Sequence, residues 1–149
     1  MYEFLDYLVS DVMSKPTTVG PDASLAEAER ILGQTGFNGL PVVDGGALVG
    51  FVTSLDLLAA FRFTPDAILP PYDEIMRRPV SSVMKQPAVV QPRTRLTRVL
   101  EKLVDTRNKS FPVVDPKTER LVGVVAREDV MQALRRAGSG ERPGGAERE

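Results

Sequence analysis

The chain contains one stretch of sequence twice, and this repeat constrains the fold more than any other feature. Residues 9–58 reappear as residues 80–131, with the copies 71 positions apart up to Asp44 and Asp115 and 73 apart after an insertion, Pro116-Lys117. By direct count, 19 of the 50 paired positions are identical, whereas unrelated sequences would share about three. A unit of this length cannot bury its own sheet and helices alone, so the repeat predicts two copies that pack together.

The composition of the chain removes several classes of function. There is no Cys and no His among the 149 residues, so thiolate chemistry is absent and the commonest general base and metal ligand are missing. The 19 Lys and Arg residues nearly balance 20 Asp and Glu, which gives no general attraction to nucleic acid or to an anionic membrane. No apolar run approaches the ~20 residues of a membrane span. We therefore expect a cytoplasmic protein with no metal site, no membrane contact and no secretory leader.

Each copy is predicted to form a strand, a helix, two strands and a second helix. In the first copy, Thr17–Val19 is a short β-type run, and Ser24 and Glu27 form a capping box that begins a helix ended by Gly36. The buried run 40–44, a Gly45-Gly46 turn and the run 47–52 predict a hairpin. The second copy repeats the pattern, with a helix from Leu96 and strands at 111–115 and 121–125. The predicted fold class is α+β, made of two βαββα repeats.

The predicted boundaries follow the repeat and the composition. We expect an N-terminal extension at 1–8, a first domain at 9–65, a linker at 66–79, a second domain at 80–137 and a tail at 138–149. The segment between the copies is long for a connector, and Pro70-Pro71 breaks any helix there. We interpret it as a surface strap rather than a lid over a site. The tail carries Gly, Pro and charge with nothing to bury, so we predict a disordered, solvated end rather than an interaction segment.

Thr53 and Asp56 are the most informative residues, because a strand runs into a helix at this point. One interpretation is structural, since Thr-x-x-Asp is itself a helix-start device. The other is functional: free N–H groups and a hydroxyl at a helix start attract phosphate, and an ionised Asp one turn later can accept both hydroxyls of a ribose. Gly50 would then let the backbone approach a ligand closely. The sequence leaves both interpretations open.

The second copy keeps the acid but changes the hydroxyl residue. Ala126 replaces Thr53, while Asp129 occupies the position of Asp56. A hydroxyl-to-phosphate bond, worth about 1.5–3 kcal/mol when charge-assisted, cannot form at Ala126. Arg127 would supply a positive charge there if its side chain turned toward the site. Two further acids, Asp44 and Asp115, precede turns and are interpreted as turn residues that hydrogen-bond the backbone.

Taken whole, the repeat resembles the CBS domain family, named for cystathionine β-synthase. The resemblance covers about residues 9–137 and rests on Val-Met-x-x-Pro, Pro-Val-Val-Asp and Gly-x-x-x-x-x-Asp segments, which occur in the same order in both copies. It implies a tandem pair, or Bateman module, whose two βαββα units lie side by side with pseudo-twofold symmetry. In the family, the clefts of such pairs bind adenosine-containing ligands such as AMP, ADP, ATP or S-adenosylmethionine. No obligatory cofactor is implied.

The resemblance also assigns residues to two ligand sites. The first site would use Phe51, Thr53, Asp56, Gln86, Pro87, Ala88, Lys109 and Ser110. The second, weaker site would use Pro16, Thr17, Asn38, Gly39, Val124, Ala126 and Asp129. Among these, Lys109 is interpreted more readily as an ordinary solvated charge than as a phosphate ligand. Because of Ala126, we expect the first site to bind a nucleotide and the second to be weak, empty or selective for nucleosides.

The leading functional hypothesis is a non-enzymatic regulatory sensor that passes ligand binding to an effector protein whose identity is unknown. The resemblance also implies a homodimer formed by the faces that carry Leu57, Leu58, Phe61, Val130, Met131 and Leu134. The alternative is a constitutive oligomerisation module that binds no ligand, which Ala126 favours and the intact Thr53 and Asp56 oppose. Nucleic-acid binding is disfavoured by the few basic clusters. Catalysis is disfavoured because no nucleophile and base accompany the carboxylates.

Overall fold

A computed structural model describes residues 4–63 and 71–140 of the chain, and each copy contains the helix, the two strands and the second helix that the sequence predicts. A 3-10 turn at Phe4–Asp6 precedes the first helix, and another at Val80–Ser82 precedes the second copy. The helices and strands are α1 (Val9–Val12), α2 (Leu25–Thr35), β1 (Gly39–Asp44), β2 (Ala47–Thr53), α3 (Ser54–Ala59), α4 (Tyr72–Met76), α5 (Leu96–Thr106), β3 (Ser110–Val114), β4 (Leu121–Ala126) and α6 (Arg127–Gly138). The α+β prediction is confirmed. No helix within these two ranges is long and apolar enough to cross a bilayer.

Helix α2 begins and ends where its sequence signals predict. The Ser24 hydroxyl accepts a hydrogen bond from the Glu27 N–H at 3.1 Å, and Gly36 closes the helix with a φ of 75°. The second half of the predicted capping box is wrong, because the Glu27 carboxylate forms an ion pair with Arg30 instead of bonding back to the N-cap. An exposed guanidinium three residues along the helix is within easy reach, so the carboxylate turns outward along the surface.

Each copy contributes one two-stranded antiparallel sheet, β1 with β2 and β3 with β4. The registers are equivalent, with Leu40 opposite Val52 in one sheet and Phe111 opposite Val125 in the other, and all four side chains are fully buried. The β3–β4 turn is held by the Asp115 carboxylate, which accepts from the Lys117 N–H at 2.7 Å. The prediction that Asp115 stabilises a turn is therefore confirmed.

The strand predicted at Thr17–Val19 is wrong, because only a single parallel bridge forms there. Val19 donates to the Pro41 carbonyl at 3.1 Å and accepts from the Val43 N–H at 2.9 Å. The next ladder bond in one direction needs an N–H on Pro41, and the next in the other direction needs one on Pro21. Proline has no N–H, so neither bond can form and the strand stops at one residue.

The second copy shows the same limit for the same reason. Val90 donates to the Pro112 carbonyl at 3.0 Å and accepts from the Val114 N–H at 2.9 Å. Extension of this bridge would again require N–H groups on two prolines, here Pro112 and Pro92. The repeated Val-x-Pro and Pro-Val-Val segments therefore encode a one-residue bridge rather than a strand.

The chain folds into two compact units whose boundaries cross those of the sequence repeats. One unit is Thr17–Pro87, and the other combines the described parts of Met1–Pro16 and Ala88–Glu149. Each unit thus takes up the beginning of the other copy of the repeat, residues 9–16 in one unit and residues 80–87 in the other. Ser14 and Val124 exchange two backbone hydrogen bonds of 2.8 and 2.9 Å in one unit, and Lys85 and Phe51 exchange bonds of 2.9 and 2.7 Å in the other.

Each unit has its own hydrophobic core. The core of the Thr17–Pro87 unit contains Val19, Leu25, Ala28, Leu32, Leu40, Val42, Val52, Leu57, Ile75, Met76 and Val80. The core of the other unit contains Tyr7, Val9, Val90, Leu96, Val99, Leu103, Phe111, Val113, Val125, Val130 and Ala133. Tyr7, expected to lie in an N-terminal extension, is fully buried because it completes this second core.

The described part of the segment between the copies packs into the core of one unit. Helix α4 buries Ile75 and Met76 in the core of the Thr17–Pro87 unit, and the Tyr72 ring stacks on Phe61 with centroids 5.7 Å apart. Residues 64–70 lie outside the described residues, as does the predicted disordered tail from residue 141 onward. Residues 138–140 continue and close α6 rather than starting a tail.

Two glycines at equivalent positions make room for methionine side chains. A Cβ atom at Gly50 would lie 2.5 Å from the sulfur of Met84, and one at Gly123 would lie 2.8 Å from the sulfur of Met13. Both methionines belong to the beginnings of the copies that the units exchange, so the missing side chains allow those segments to lie against β2 and β4. The suggestion that Gly50 serves close approach of a ligand is therefore replaced by a packing role.

We predict that Gly50→Ala lowers the free energy of unfolding by about 1–3 kcal/mol, since the added methyl overlaps Met84. Gly33→Ala is the matched control, because nothing lies within 4 Å of that position in α2; it should stabilise by about 0.5–1 kcal/mol. Urea unfolding of both variants measures the difference. Adding Met84→Ala should recover part of the loss, and strictly additive effects would contradict the contact.

Candidate functional site

The corner between β2 and α3 is held by reciprocal hydrogen bonds between Thr53 and Asp56. Thr53 is the N-cap of α3, and its hydroxyl oxygen accepts from the Asp56 N–H at 3.2 Å. In return, Oδ2 of Asp56 accepts from the Thr53 N–H at 2.8 Å and from the Thr53 hydroxyl at 2.9 Å. The structural interpretation of Thr-x-x-Asp is therefore confirmed, and the Thr53 hydroxyl is fully engaged in holding the carboxylate.

Asp56 is the one charged residue that is buried within residues 4–63 and 71–140. Burying an ionised carboxylate is costly unless donors surround it. Oδ2 has the two donors of Thr53, whereas Oδ1 faces the Lys85 ammonium at 3.4 Å. The Asp56 side chain is 11% exposed and that of Lys85 is 73% exposed. One carboxylate oxygen is thus fixed by the fold, and the other contacts an exposed cation.

The start of α3 offers fewer free N–H groups than the sequence suggested. The Ser54 N–H donates to the Asn38 carbonyl at 2.9 Å, and the Asp56 N–H is already used by Thr53. Helix α3 is also only six residues long. The geometry therefore does not provide a phosphate site formed by free amide groups at this helix start. The polar groups available to a ligand are Oδ1 of Asp56 and the ammonium of Lys85.

Several other residues of the first predicted site lie in the same unit as Asp56. Phe51 is bridged to Lys85, the amide nitrogen of Gln86 donates to the Val49 carbonyl at 2.9 Å, and Pro87 ends the unit. Ala88, Lys109 and Ser110 belong to the other unit. There, Ser110 lies opposite Ala126 in the β3–β4 register, and the Lys109 carbonyl accepts from the Arg127 N–H at 3.0 Å.

The equivalent corner between β4 and α6 keeps only half of this arrangement. Oδ2 of Asp129 accepts from the Ala126 N–H at 2.7 Å, but Ala126 has no side chain that can cap the helix. Oδ1 of Asp129 is 3.5 Å from the Ser14 hydroxyl, a long contact. Asp129 therefore has a structural reason to be present without a threonine partner, because it still caps the backbone of α6.

Burial raises the pKa of the half-buried Asp129 carboxyl above its ordinary value. The hydrogen bonds from the Ala126 N–H and the Ser14 hydroxyl act in the opposite direction, and the neighbouring Glu128 carboxylate raises the pKa further. No lysine or arginine contributes to this balance. The electrostatic setting of Asp129 thus differs from that of Asp56, which has a lysine within 3.4 Å.

Arg127 does not turn toward Asp129. Its guanidinium donates to the carbonyls of Asn108 at 3.0 Å and Arg107 at 2.7 Å, both just after α5. Arg107 itself ends α5 with a φ of 62°. The arginine therefore satisfies carbonyl groups at the end of α5. The expectation that it would supply positive charge to the second site is wrong.

The remaining residues of the second predicted site are divided between the units. Val124 is bridged to Ser14, and Pro16 ends the first described segment of that unit. Thr17, Asn38 and Gly39 belong to the Thr17–Pro87 unit, where Gly39 lies opposite Thr53 and underneath the Phe51 ring. The sequence did not single out Lys85 and Ser14, which contact the two acids. The signal that could have identified them is that both residues occupy the same position of the repeat.

Within the described residues, no group of three or more Asp or Glu side chains is placed to hold a metal ion. In each unit, the polar group considered for ligand binding is therefore the one carboxylate at the strand–helix corner. A carboxylate of this kind accepts hydrogen bonds from hydroxyl groups or pairs with a cation.

Comparison with known proteins identifies the class. The family model for the CBS domain matches residues 9–62 and 73–136. Two solved structures share the fold: CBSX2 in complex with AMP, at 29% identity and a TM-score of 0.74 over 89% of this chain and 98% of that one, and the CBS domain pair of protein MJ0100 in complex with 5′-methylthioadenosine and S-adenosyl-L-methionine, at 28% identity and a TM-score of 0.68 over 89% and 98%.

The chain therefore belongs to the CBS domain family, as the sequence resemblance predicted, and it contains two copies of the domain. The L-aspartate semialdehyde sulfurtransferase of Methanocaldococcus jannaschii is 35% identical over 125 residues. That similarity covers 83% of this chain but only 22% of the sulfurtransferase.

The raised pKa of Asp129 predicts a pH dependence with a definite sign. Between the ordinary and the raised pKa, the folded protein retains a proton that the unfolded chain has lost, so the stabilising contribution of Asp129 falls as pH rises. Asp129→Asn keeps an oxygen that can accept from the Ala126 N–H but cannot titrate. We expect the unfolding free energy of the wild type, minus that of the variant, to decrease from about pH 3 to about pH 7. A constant difference across that range would contradict the shift.

Proposed function

We propose that this protein is a non-enzymatic regulatory module that binds an adenosine-containing ligand through Asp56. The observation that carries the proposal is the buried Asp56 carboxylate, of which one oxygen is fixed by Thr53 and the other contacts only the exposed ammonium of Lys85 among the hydrogen bonds and ion pairs described here. A neighbouring structure at 29% identity contains AMP, and another at 28% contains 5′-methylthioadenosine and S-adenosyl-L-methionine. These ligands share an adenosine.

The adenosine ribose supplies the groups that Asp56 is suited to accept. Its two adjacent hydroxyls can donate to one carboxylate, and such bonds are about twice as strong as neutral ones. Burial of Asp56 strengthens them further, because little water competes. Oδ2 remains with Thr53, so Oδ1 is the oxygen that exchanges its ion pair for a ribose hydroxyl.

The Thr53 hydroxyl acts in this proposal by fixing Asp56 rather than by touching phosphate. Asp129 lacks such a partner, since Ala126 offers only its N–H. We therefore propose unequal sites, with the Asp56 site the stronger. The wider sets named by the resemblance stay predictions: Phe51, Gln86, Pro87, Ala88, Lys109 and Ser110 for the first site, and Pro16, Thr17, Asn38, Gly39 and Val124 for the second.

The proposed role is regulatory, with AMP, ADP, ATP or S-adenosylmethionine as the signal and an effector protein as the recipient. If the ligand is AMP or ATP, the module senses the energy state of the cytoplasm. Ligand binding shifts a conformational equilibrium only by the difference in affinity between its states. The similarity to a sulfurtransferase is confined to 22% of that enzyme, and this chain has neither His nor Cys to serve a catalytic step.

A constitutive oligomerisation module is the second candidate. In its favour, both acids have structural duties at helix starts, which would explain their presence without any ligand. The two candidates differ in one respect that is easily measured, because only the regulatory module responds to adenosine compounds.

We predict that an adenosine compound raises the melting temperature of the wild type, and that Asp56→Asn abolishes most of the effect. At about one hundred times its dissociation constant, a ligand stabilises by about 2.7 kcal/mol. Asp56→Asn retains an acceptor for Thr53 but weakens ribose binding by about ten- to a hundredfold. Asp129→Asn is the matched control and should weaken binding less. Calorimetric titration with AMP, ATP and S-adenosylmethionine measures this, and a larger effect of Asp129→Asn would reverse the assignment.

The homodimer is part of the proposal. The exposure of side chains on α3 and α6 indicates which of the predicted residues are accessible to a second copy. Leu57 and Val130 are buried in the two cores, whereas the equivalent residues Leu58 and Met131 are exposed. Leu55 and Leu134 are also exposed. We therefore propose that a second copy of the chain covers these positions of α3 and α6.

Leu58→Glu and Met131→Glu are each predicted to convert such a dimer to a monomer, because a buried unpaired carboxylate is costly. Sedimentation velocity across a concentration series measures the mass. Val104→Glu is the control, since Val104 is equally exposed but lies on α5, and it should leave the mass unchanged. A wild type that sediments as a monomer throughout would overturn the dimer.

A further inference from the structure

Lys85 and Ser14 occupy one and the same place in the two copies of the repeat. They are 71 positions apart, the spacing that relates the first parts of the two copies. Each forms an antiparallel backbone bridge to the strand that leads to the acid, Lys85 to Phe51 and Ser14 to Val124. The side chain of each then reaches Oδ1 of that acid, at 3.4 Å from Asp56 and 3.5 Å from Asp129. Equivalent positions thus carry an ammonium in one unit and a hydroxyl in the other.

We propose that this position determines the charge of the ligand that each acid accepts. Lys85 directs a phosphorylated adenosine compound to Asp56, and Ser14 leaves Asp129 to an adenosine compound that is neutral or positively charged. The inference rests on the proposed function, because it assumes that Asp56 and Asp129 receive the ribose.

The argument for Lys85 follows from the ion pair that a ribose must disrupt. When a ribose hydroxyl takes Oδ1 of Asp56, the ammonium loses its partner. An unphosphorylated adenosine leaves only water to replace that partner, whereas a phosphate on the same ligand gives the ammonium a new anion. The backbone bridge to Phe51 keeps Lys85 beside the site, and its side chain is 73% exposed. Binding of a phosphorylated ligand therefore exchanges one ion pair for another.

Within the described parts of the chain, no lysine or arginine contacts Asp129 as Lys85 contacts Asp56. The charged neighbour that acts on Asp129 is Glu128, another acid, and the Arg127 guanidinium is held by the carbonyls of Arg107 and Asn108. The Glu128 carboxylate is paired with the exposed Arg135 guanidinium at 2.9 Å. A phosphate here would therefore face the Asp129 carboxylate with no ammonium beside it, and like charges at short range repel strongly. A neutral nucleoside avoids this repulsion, and a sulfonium group gains from the same negative field.

The difference between Thr53 and Ala126 explains selection by ligand charge less well than the difference between Lys85 and Ser14 does. The Thr53 hydroxyl donates to Asp56 at 2.9 Å and accepts from its N–H at 3.2 Å. It is therefore committed within the unit before any ligand arrives. Replacing it should loosen Asp56 and weaken adenosine and AMP alike, whereas a change at Lys85 should separate the two ligands.

Reciprocal exchange of the two residues tests the proposal, with adenosine and AMP as the probes. Each site is isolated first: Asp129→Asn leaves the Asp56 site, and Asp56→Asn leaves the Asp129 site. Calorimetric titration then gives the ratio of the two dissociation constants in each background. In the Asp129→Asn background, Lys85→Ser should lower AMP affinity by about ten- to a hundredfold and leave adenosine nearly unchanged or slightly tighter.

Lys85→Arg should retain the preference for AMP, since it keeps the positive charge. In the Asp56→Asn background, Ser14→Lys should raise AMP affinity relative to adenosine by about tenfold or more. Arg77→Ser is the matched control, because it removes one exposed positive charge from the same unit as Lys85; it should leave the ratio unchanged. Circular dichroism and thermal melting verify that each variant is folded.

Two results would overturn the inference while leaving the proposed function intact: equal losses of adenosine and AMP in Lys85→Ser, or an unchanged ratio in every variant. A wild type that binds neither compound would overturn the proposed function and this inference together. Because the two failures give different titrations, they are distinguishable.

Discussion

The backbone bridges that join Lys85 to Phe51 and Ser14 to Val124 are the interactions on which the rest of each compact unit depends. A two-stranded sheet alone is marginal in water, and the leading residues of each copy can add only one bridge because prolines block its extension. The beginning of the other copy supplies the missing neighbour of β2 and of β4. Removing the side chain at Gly50 and at Gly123 makes this neighbour fit, since a methionine lies over each glycine.

The same bridges connect packing to chemistry. They bring a side chain from a distant part of the sequence to the carboxylate that begins α3 or α6. The two oxygens of each carboxylate then have different contacts. One accepts a hydrogen bond from the backbone of the corner, and the other faces a residue that differs between the copies. A duplicated scaffold thus keeps the geometry of the corner constant while the chemistry beside it varies.

Much of the local structure could be predicted from the sequence, and the exceptions have physical reasons. The cap at Ser24, the end of α2 at Gly36 and the two hairpins depend on neighbouring residues, so their signals are readable in the chain. The Thr17–Val19 run has strand-like composition, but its pairing fails because of Pro41, which lies far along the sequence. The exchange of segments between copies was not predictable, because either copy offers the same local pattern to the segment that joins it.

The candidate site was predictable in part for the same reason. Asp56 and Asp129 stand at recognisable helix starts, and the family resemblance is carried by the motifs around them. The contact between Lys85 and Asp56 joins the end of the first copy to the beginning of the second, across the segment between them, so no local pattern indicates it. Likewise, the direction of the Arg127 side chain is set by carbonyls at the end of α5, which a motif around Asp129 does not contain.

The exchange of segments also governs the order in which the chain can fold as it leaves the ribosome. The Thr17–Pro87 unit is continuous in sequence, so all its parts are present once Pro87 has emerged. The other unit is discontinuous: Tyr7 and Val9, which are fully buried in its core, bond the main chain at Leu96 and Thr94, which are translated only after the whole of the Thr17–Pro87 unit. The residues that precede Thr17 therefore join a core whose other parts are made after the neighbouring unit is complete.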